Sequence, residues 1–505
     1  MKNLKIYFTS DIHGYIYPTD YIDKKEKNIG LLNIINALDK DGNTLIIDGG
    51  DTIQGSPFTN YLSNTEFDIH PIAKVMNEGG YDYITLGNHD FNYGYNYLTK
   101  YLTNLNAKCL CTNVVDNTNE LPIYPYDIKT MENGLKVGII GFTTDFINRW
   151  ERPENIKNFT ISDTYSSLKL HFDSVKNQCD ILIGVYHGGF EYDLESHKQL
   201  STTSENIAYK ICKDFDFDIL LTGHQHMNIS GEYLHGTYIA QTPHNASKFL
   251  ELNLEFNENT NDKNIVSSLK EVCLNPNIKM YDELLPIEKQ VQEWLDTPVG
   301  FLDIELEPKS HLEMALNGSY LANFINQIEL EESGANIACT SFANSIKGFN
   351  KNVTVRDIMS TYIYPNTLVV LEVSKNDLKL ALERCASYFN NKDGQLSISD
   401  LFLKPKVEHY NYDYFSNINY TFDLSKEIGN RVVSITYKGK DLSDEDKLTL
   451  VMNNYRASGA GGYEFYCDCK IVKEIMIEMP EVIINYFKNN KNIIVDKSKY
   501  LTVIK

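Results

Sequence analysis

Five short apolar runs in the first half of the chain each end in a cluster of aspartate, histidine or asparagine with glycine. Residues 5–9 lead into Asp11-Ile-His13-Gly14, residues 45–47 into Asp48-Gly-Gly-Asp51, and residues 83–86 into Gly87-Asn88-His89-Asp90. Residues 181–186 run into His187-Gly-Gly, and residues 219–221 into Gly223-His224-Gln225-His226. Short apolar runs bounded by glycine turns read as buried strands. Between them lie helical patterns: Leu31, Ile34, Ile35 and Leu38 share one face, and Ser204 is placed to cap a helix that turns Ile207, Ala208 and Ile211 inward. That alternation predicts an α/β fold, with sheet covered by helices. In such sheets ligands collect where the loops leave the strand ends.

The strand-end residues are Asp11, His13, Asp51, Asn88, His187, His224 and His226. A single histidine after a strand is usually a surface residue, and Gly-Asn-His-Asp alone can be a turn. The recurrence at five strand ends is what points to a site. Carboxylate oxygens and imidazole nitrogens suit divalent ions such as Mn²⁺, Zn²⁺, Fe²⁺ or Mg²⁺. Seven donors are too many for one ion and suit two that share a carboxylate, a pair typically spaced by roughly 3.5–4 Å and able to clamp a hydroxide for attack on phosphorus.

Length and charge narrow the class. The chain has 505 residues, long for one domain, with 47 Lys+Arg against 68 Asp+Glu and a net charge of −21. A nucleic-acid polymer is not an expected partner, because the basic stripe that displaces counterions is missing. No apolar run approaches the ~18 residues of a membrane helix, so no membrane partner is expected. The N-terminus reads as the first strand, not a signal peptide, since its apolar run is short and meets Asp11 with no small-residue cleavage site. A cytoplasmic location is expected on that ground, or export if the sequence is a trimmed form. The nine cysteines are scattered, as for reduced and mostly buried thiols. A polar loop at 256–264, a helical pattern at 287–295 with Val291 and Trp294 inward, and a break at Thr297-Pro-Val-Gly300 divide the chain. We expect a first domain at 1–264, a connector and hinge at 265–300, and a second domain at 301–505. That second domain has helical patterns at 321–328 and 378–389 and strand-like runs at 368–373, 432–437 and 448–452, an α+β composition.

In this order, DIHG, GDTIQGSP, GNHDFNYG, YHGG and GHQH resemble the calcineurin-like metallophosphoesterases of the 5′-nucleotidase family. The resemblance continues past residue 300. It implies an αββα sandwich with two metal ions, one held by Asp11, His13, Asp51 and His226, the other by Asp51, Asn88, His187 and His224, with Asp51 bridging. It implies that His89 faces the phosphate, stabilising charge or protonating the leaving oxygen. The 5′-nucleotidase motif usually reads GNHEFD, whose last acid partners that histidine. Here Asn92 takes its position and Asp90 stands for the Glu, a form resembling the subgroup that hydrolyses 2′,3′-cyclic nucleotides and then 3′-nucleotides.

In the second half, tyrosines on two loops, in Tyr362-Ile-Tyr364-Pro-Asn366 and Asn453-Asn-Tyr455-Arg456, can sandwich a base. YPNT, EHYNYD and NNYRASG are similar to the substrate domain of the cyclic-nucleotide subgroup, which implies that Tyr364 and Tyr455 clamp the base with Asn366 and Asn344 as polar contacts. The GGGIR arginine of 5′-nucleotidases is replaced by Lys347, which is no bidentate fork, so tight binding of a polyphosphate tail is not expected. The function expected is dimetal hydrolysis of small nucleotides, 2′,3′-cyclic and 3′-. The alternatives are a 5′-nucleotidase or UDP-sugar hydrolase, and a catalytically silent nucleotide-binding module.

Overall fold

The apolar runs of the first half pair into two sheets in the computed structural model, which describes residues 1–199, 203–364, 366–392, 394–404, 406–475, 477–490 and 492–504. The chain divides into two units, Met1–Gln292 and Glu293–Lys505. In the first sheet Lys2–Thr9 lies between Lys248–Phe256, antiparallel, and Thr44–Asp48, parallel, and the sheet continues through Tyr83–Ile84. In the second, Ile181–His187 runs parallel to both Lys136–Thr143 and Ile219–Thr222.

Period-two alternation assigns each side chain its layer. Leu4, Ile6 and Phe8 of one sheet share a core with Ile181, Ile183 and Val185 of the other. Leu182 and Tyr186, pointing the opposite way, pack with Leu168, Phe172 and Val175 of the helix Thr164–Lys176 and Ile211 of Ala208–Asp214. The helices Leu31–Ala37, Pro71–Glu78 and Gly94–Asn104 add further buried apolar faces. This is the αββα arrangement that the motifs imply.

The second unit is α+β with its own core. Its central sheet runs Tyr414–Ser416, Ile337–Thr340, Lys447–Asn453, Leu368–Ser374, Lys470–Ile475. Phe324, Ile325 and Ile328 of the helix Tyr320–Ser333 pack into it. The helix Lys375–Ala386 opens on a capping box in which Ser374 and Asp377 satisfy each other's backbone N–H.

Three local expectations shift. The helix placed at Ser204 begins at Ala208, and Ser204 Oγ instead donates to Asp145 at 2.9 Å. Its first amides are satisfied from elsewhere in the chain: Tyr209 N–H and Lys210 N–H donate to the Glu191 carboxylate at 3.0 and 2.8 Å. The helix expected from residue 287 begins at Ile278 and passes through Pro286. Proline removes one hydrogen bond, but Leu284, Glu288, Val291 and Leu295 form a single buried stripe across it. Residues 263–271, partly within the expected connector, form the strand Lys263–Glu271 paired with Lys248–Phe256. All nine cysteines are free thiols, five of them buried. Among the described residues no helix is long and apolar enough to cross a membrane.

Candidate metal centre

Strand register delivers the polar clusters to one rim. Thr9 pairs with Asp48 and Asp48 with Ile84, so three strands of the first sheet end level. In the second sheet His187 pairs with Thr143 and Tyr186 with Thr222. Hydrogen bonds cross from one sheet's loops to the other's: His224 N–H donates to Asp11 Oδ1 at 3.0 Å, and His187 Nδ1–H to the Gly49 carbonyl at 2.7 Å. The turns are tight enough that Asp11, His13, Asp51, His224 and His226 all take positive φ, from 51° to 69°. That conformation costs a non-glycine residue about 1–3 kcal/mol, and such residues cluster where function demands a side chain.

The donor atoms fall into two groups. One ligand atom each from Asp11, His13 and His226 lies within 4.8 Å of the others, and the same holds for Asp51, His187 and His224. Asn88 joins the second group, its Oδ1 2.9 Å from His224 Nδ1. Each of three histidines has one ring nitrogen committed to an outer acceptor: His13 Nδ1 to the Gln54 carbonyl at 3.0 Å, His187 Nδ1 to Gly49, and His224 Nε2 to Glu205 Oε1 at 3.2 Å. The opposite lone pairs therefore point inward. His13 Nε2 and His226 Nε2 face each other at 3.3 Å. His187 Nε2 is buried without a hydrogen-bond partner although Asp51 Oδ2 is 3.1 Å away.

Charge tells the same story. Burial works to raise Asp51, yet the His187 and His89 charges hold its carboxyl well below the usual range. Burial works to strip the proton from His187, but Asp51 outweighs it and raises the imidazole to about 10. Burial lowers His13, working against its charged form. Imidazole nitrogens converging on buried carboxylates make a site that attracts positive charge, here a proton on His187, and two groups of such donors fit two divalent cations.

His89 sits on the edge of this cluster. Its N–H donates to Asp51 Oδ1 at 2.7 Å, and its ring meets that of His13 edge-on with centroids 5.3 Å apart. Its Nδ1 is 2.8 Å from Asn92 Oδ1. Asp90, the next residue, is no ligand. Its carboxylate accepts the N–H groups of Asp51, Thr52, Ile53 and Gly87 at 2.8–3.1 Å. Burial, with Asp51 nearby, pushes Asp90 up to about 6. It shapes the loop that presents Asp51, a role visible in the sequence only as an acid inside a turn motif. Glu205 behind His224 and Trp150 stacked on it, with centroids 5.6 Å apart, come from remote segments without a motif to announce them.

In the second unit Leu368 pairs with Asn453, which puts the Tyr364 and Tyr455 loops at the same end of one sheet. Asn454 N–H donates to the Thr367 carbonyl at 2.8 Å, and Thr367 N–H returns to Asn454 Oδ1 at 3.1 Å. Tyr364 is 39% exposed, and Asn366 and Tyr455 are half-buried. Asn344 is engaged with backbone: its Nδ2 donates to the Val407 carbonyl at 2.8 Å, and its Oδ1 accepts His409 N–H at 3.0 Å. Beside Tyr455, Arg456 is fully buried, its Nε 2.8 Å from Asp413 and its other nitrogens on the Ala460 and Tyr410 carbonyls. This buried pair anchors the loop, and its partners lie too far apart in sequence to be matched by reading.

Comparison with known proteins assigns a family to a stretch of each half of the chain. Residues 4–228 match the family description Calcineurin-like phosphoesterase, and residues 299–467 match 5′-nucleotidase, C-terminal domain. A Staphylococcus aureus crystal structure described as a 5′-nucleotidase is 34% identical, with a TM-score of 0.91 and full coverage of both chains. A Yersinia enterocolitica 2′,3′-cyclic-nucleotide 2′-phosphodiesterase/3′-nucleotidase is 24% identical over 90% of this chain and 80% of its own length. A trifunctional nucleotide phosphoesterase of Bacillus subtilis is 25% identical over 97% of this chain, which spans 38% of that protein. Rim, donor groups and matched domains together make this chain a metallophosphoesterase, a member of the calcineurin-like phosphoesterases that carry a 5′-nucleotidase C-terminal domain.

Proposed function

We propose that the protein hydrolyses 2′,3′-cyclic nucleotides and 3′-nucleotides. The observation that carries the chemistry is the pair of donor groups with inward lone pairs and His89 at their edge. Asp11, His13, Asp51 and His226 would hold one divalent ion, and Asp51, Asn88, His187 and His224 the other. Such ions, when bound, neutralise phosphate charge and supply a nucleophile at neutral pH. The chain's own part is to fix the site. Asp90 sets the Asp51 loop. His89 serves the leaving oxygen, donating a proton or a hydrogen bond to developing charge. Tyr364 and Tyr455 stack on the base, with Asn366 beside them, and Asn344 holds the neighbouring loop by its backbone contacts.

The substrate assignment is supported by Asn92 in place of the family's acid and by the Yersinia relative's activity. A 5′-nucleotidase reading is favoured by the Staphylococcus aureus neighbour. The deciding experiment is phosphate release with Mn²⁺ from 2′,3′-cyclic AMP, 3′-AMP and 5′-AMP, with bis(p-nitrophenyl) phosphate as a diester without a base. Added alkaline phosphatase reveals monoesters formed from the cyclic substrate. Release from 5′-AMP alone would reject the cyclic and 3′ assignment. No turnover of any of the four would favour a binding module.

A further inference from the structure

Asn92 does not end the chain of contacts behind His89. Its Nδ2 donates to Glu151 Oε2 at 2.5 Å, across 59 residues of sequence. The other Glu151 oxygen accepts Arg152 N–H at 2.7 Å and Asn155 Nδ2 at 2.9 Å. Asn155 Nδ2 also donates to the Asn92 carbonyl at 2.8 Å, so Glu151 and Asn155 grip Asn92 from two sides.

The direction of these bonds has a chemical consequence. Both Glu151 oxygens are met by N–H donors and act as acceptors, so the amide nitrogen of Asn92 faces Glu151 and its oxygen faces His89. With an oxygen opposite it, His89 Nδ1 has one role, that of donor. Nε2, on the far edge of the ring, is then the atom left for the substrate. An asparagine free to flip would present its NH₂ to Nδ1 instead, and the favoured tautomer would reverse.

We propose that Glu151 is a positioning residue for His89: by fixing the orientation of Asn92 it fixes which ring nitrogen of His89 carries the proton and which meets the substrate. The inference rests on the reading of His89 as the residue that serves the leaving group, and the test separates the two. It uses the full chain with Mn²⁺ and whichever of 2′,3′-cyclic AMP, 3′-AMP and 5′-AMP turns over fastest. His89→Asn lowers kcat by roughly 10²–10⁴-fold, the range of a positioned acid. Glu151→Gln lowers kcat by roughly 10–100-fold, as removal of outer partners that orient a histidine does elsewhere, with KM little changed. Glu151→Gln adds nothing in the His89→Asn background. Asn92→Asp combined with Glu151→Gln recovers most of the rate, since the new carboxylate accepts from Nδ1–H directly and the new amide donates to it. Losses that multiply in the double variant, a missing rescue, or a Glu151→Gln enzyme with wild-type kcat would overturn the inference. A His89→Asn enzyme with wild-type kcat would instead overturn the reading of His89 beneath it.

Discussion

At Asp51, burial and charge act in opposite directions, and charge wins because histidines surround it. Asp51→Asn removes the one carboxylate proposed to serve both ions and should lower turnover by several orders of magnitude with the fold intact by circular dichroism. Retention of more than about a tenth of the rate, a loss of only ~1.4 kcal/mol of barrier, would sink the shared-ligand assignment. Asp48, three residues earlier, has no histidine to rescue it. Burial raises it to about 7, against the hydrogen bonds it accepts from Thr52, Thr9 and Gly50. A carboxyl whose folded pKa lies above its unfolded value of 3.8 holds its proton more tightly in the fold, so its contribution to stability falls as pH rises from about 4 to about 7. Asp48→Asn has no charge to bury. The unfolding midpoint of the variant relative to wild type should therefore climb between pH 4 and pH 8 in calorimetry, and a difference independent of pH would show that Asp48 titrates normally. The two aspartates differ by three positions in one motif and look alike as text. What distinguishes them is which side chains the other sheet brings near, and that is not written locally.

Helices and strands show where sequence patterns reach and where they stop. The strand Val432–Tyr437 occupies the residues of its strand-like run, and Leu368–Ser374 extends its expected span by one residue. Helix starts were harder. Ser204 looks like a cap, yet the helix Ala208–Asp214 takes its cap from Glu191, seventeen residues before its first turn. Pro286 looks like a stop, yet a buried stripe carries Ile278–Leu295 past it. In both cases a tertiary contact overrode a local signal. Glu191→Ala strips the acceptor from two amides and the negative charge from a helix N-terminus. It should cost about 1–2 kcal/mol, the upper range for a lost cap, and lower the unfolding midpoint by a few degrees. An unchanged midpoint would mean that water caps this helix equally well.

At the scale of the whole chain, the proposed chemistry and the proposed base recognition belong to different compact units. Tyr364→Ala and Tyr455→Ala should each raise KM for nucleotides by the equivalent of about 1–3 kcal/mol of stacking. Hydrolysis of bis(p-nitrophenyl) phosphate, which offers no base, should be nearly unchanged. Normal KM values in both variants would move base recognition elsewhere. The residues that gather into the two donor groups were legible because each sits in a short motif at a strand end. The anchor of the Tyr455 loop was not, since Arg456 finds Asp413 across 43 residues. The rim has a mechanical side as well. Asp11 and His13 leave the first sheet and His226 the second, while Asp51 leaves the first and His187 and His224 the second. A cation in either group would be a rivet through both halves of the sandwich, added to the His224–Asp11 and His187–Gly49 hydrogen bonds that already cross the seam. Removing such an ion would take one tie out of that edge together with the positive charge a phosphate needs, so the chemistry and the fastening of the rim draw on the same residues.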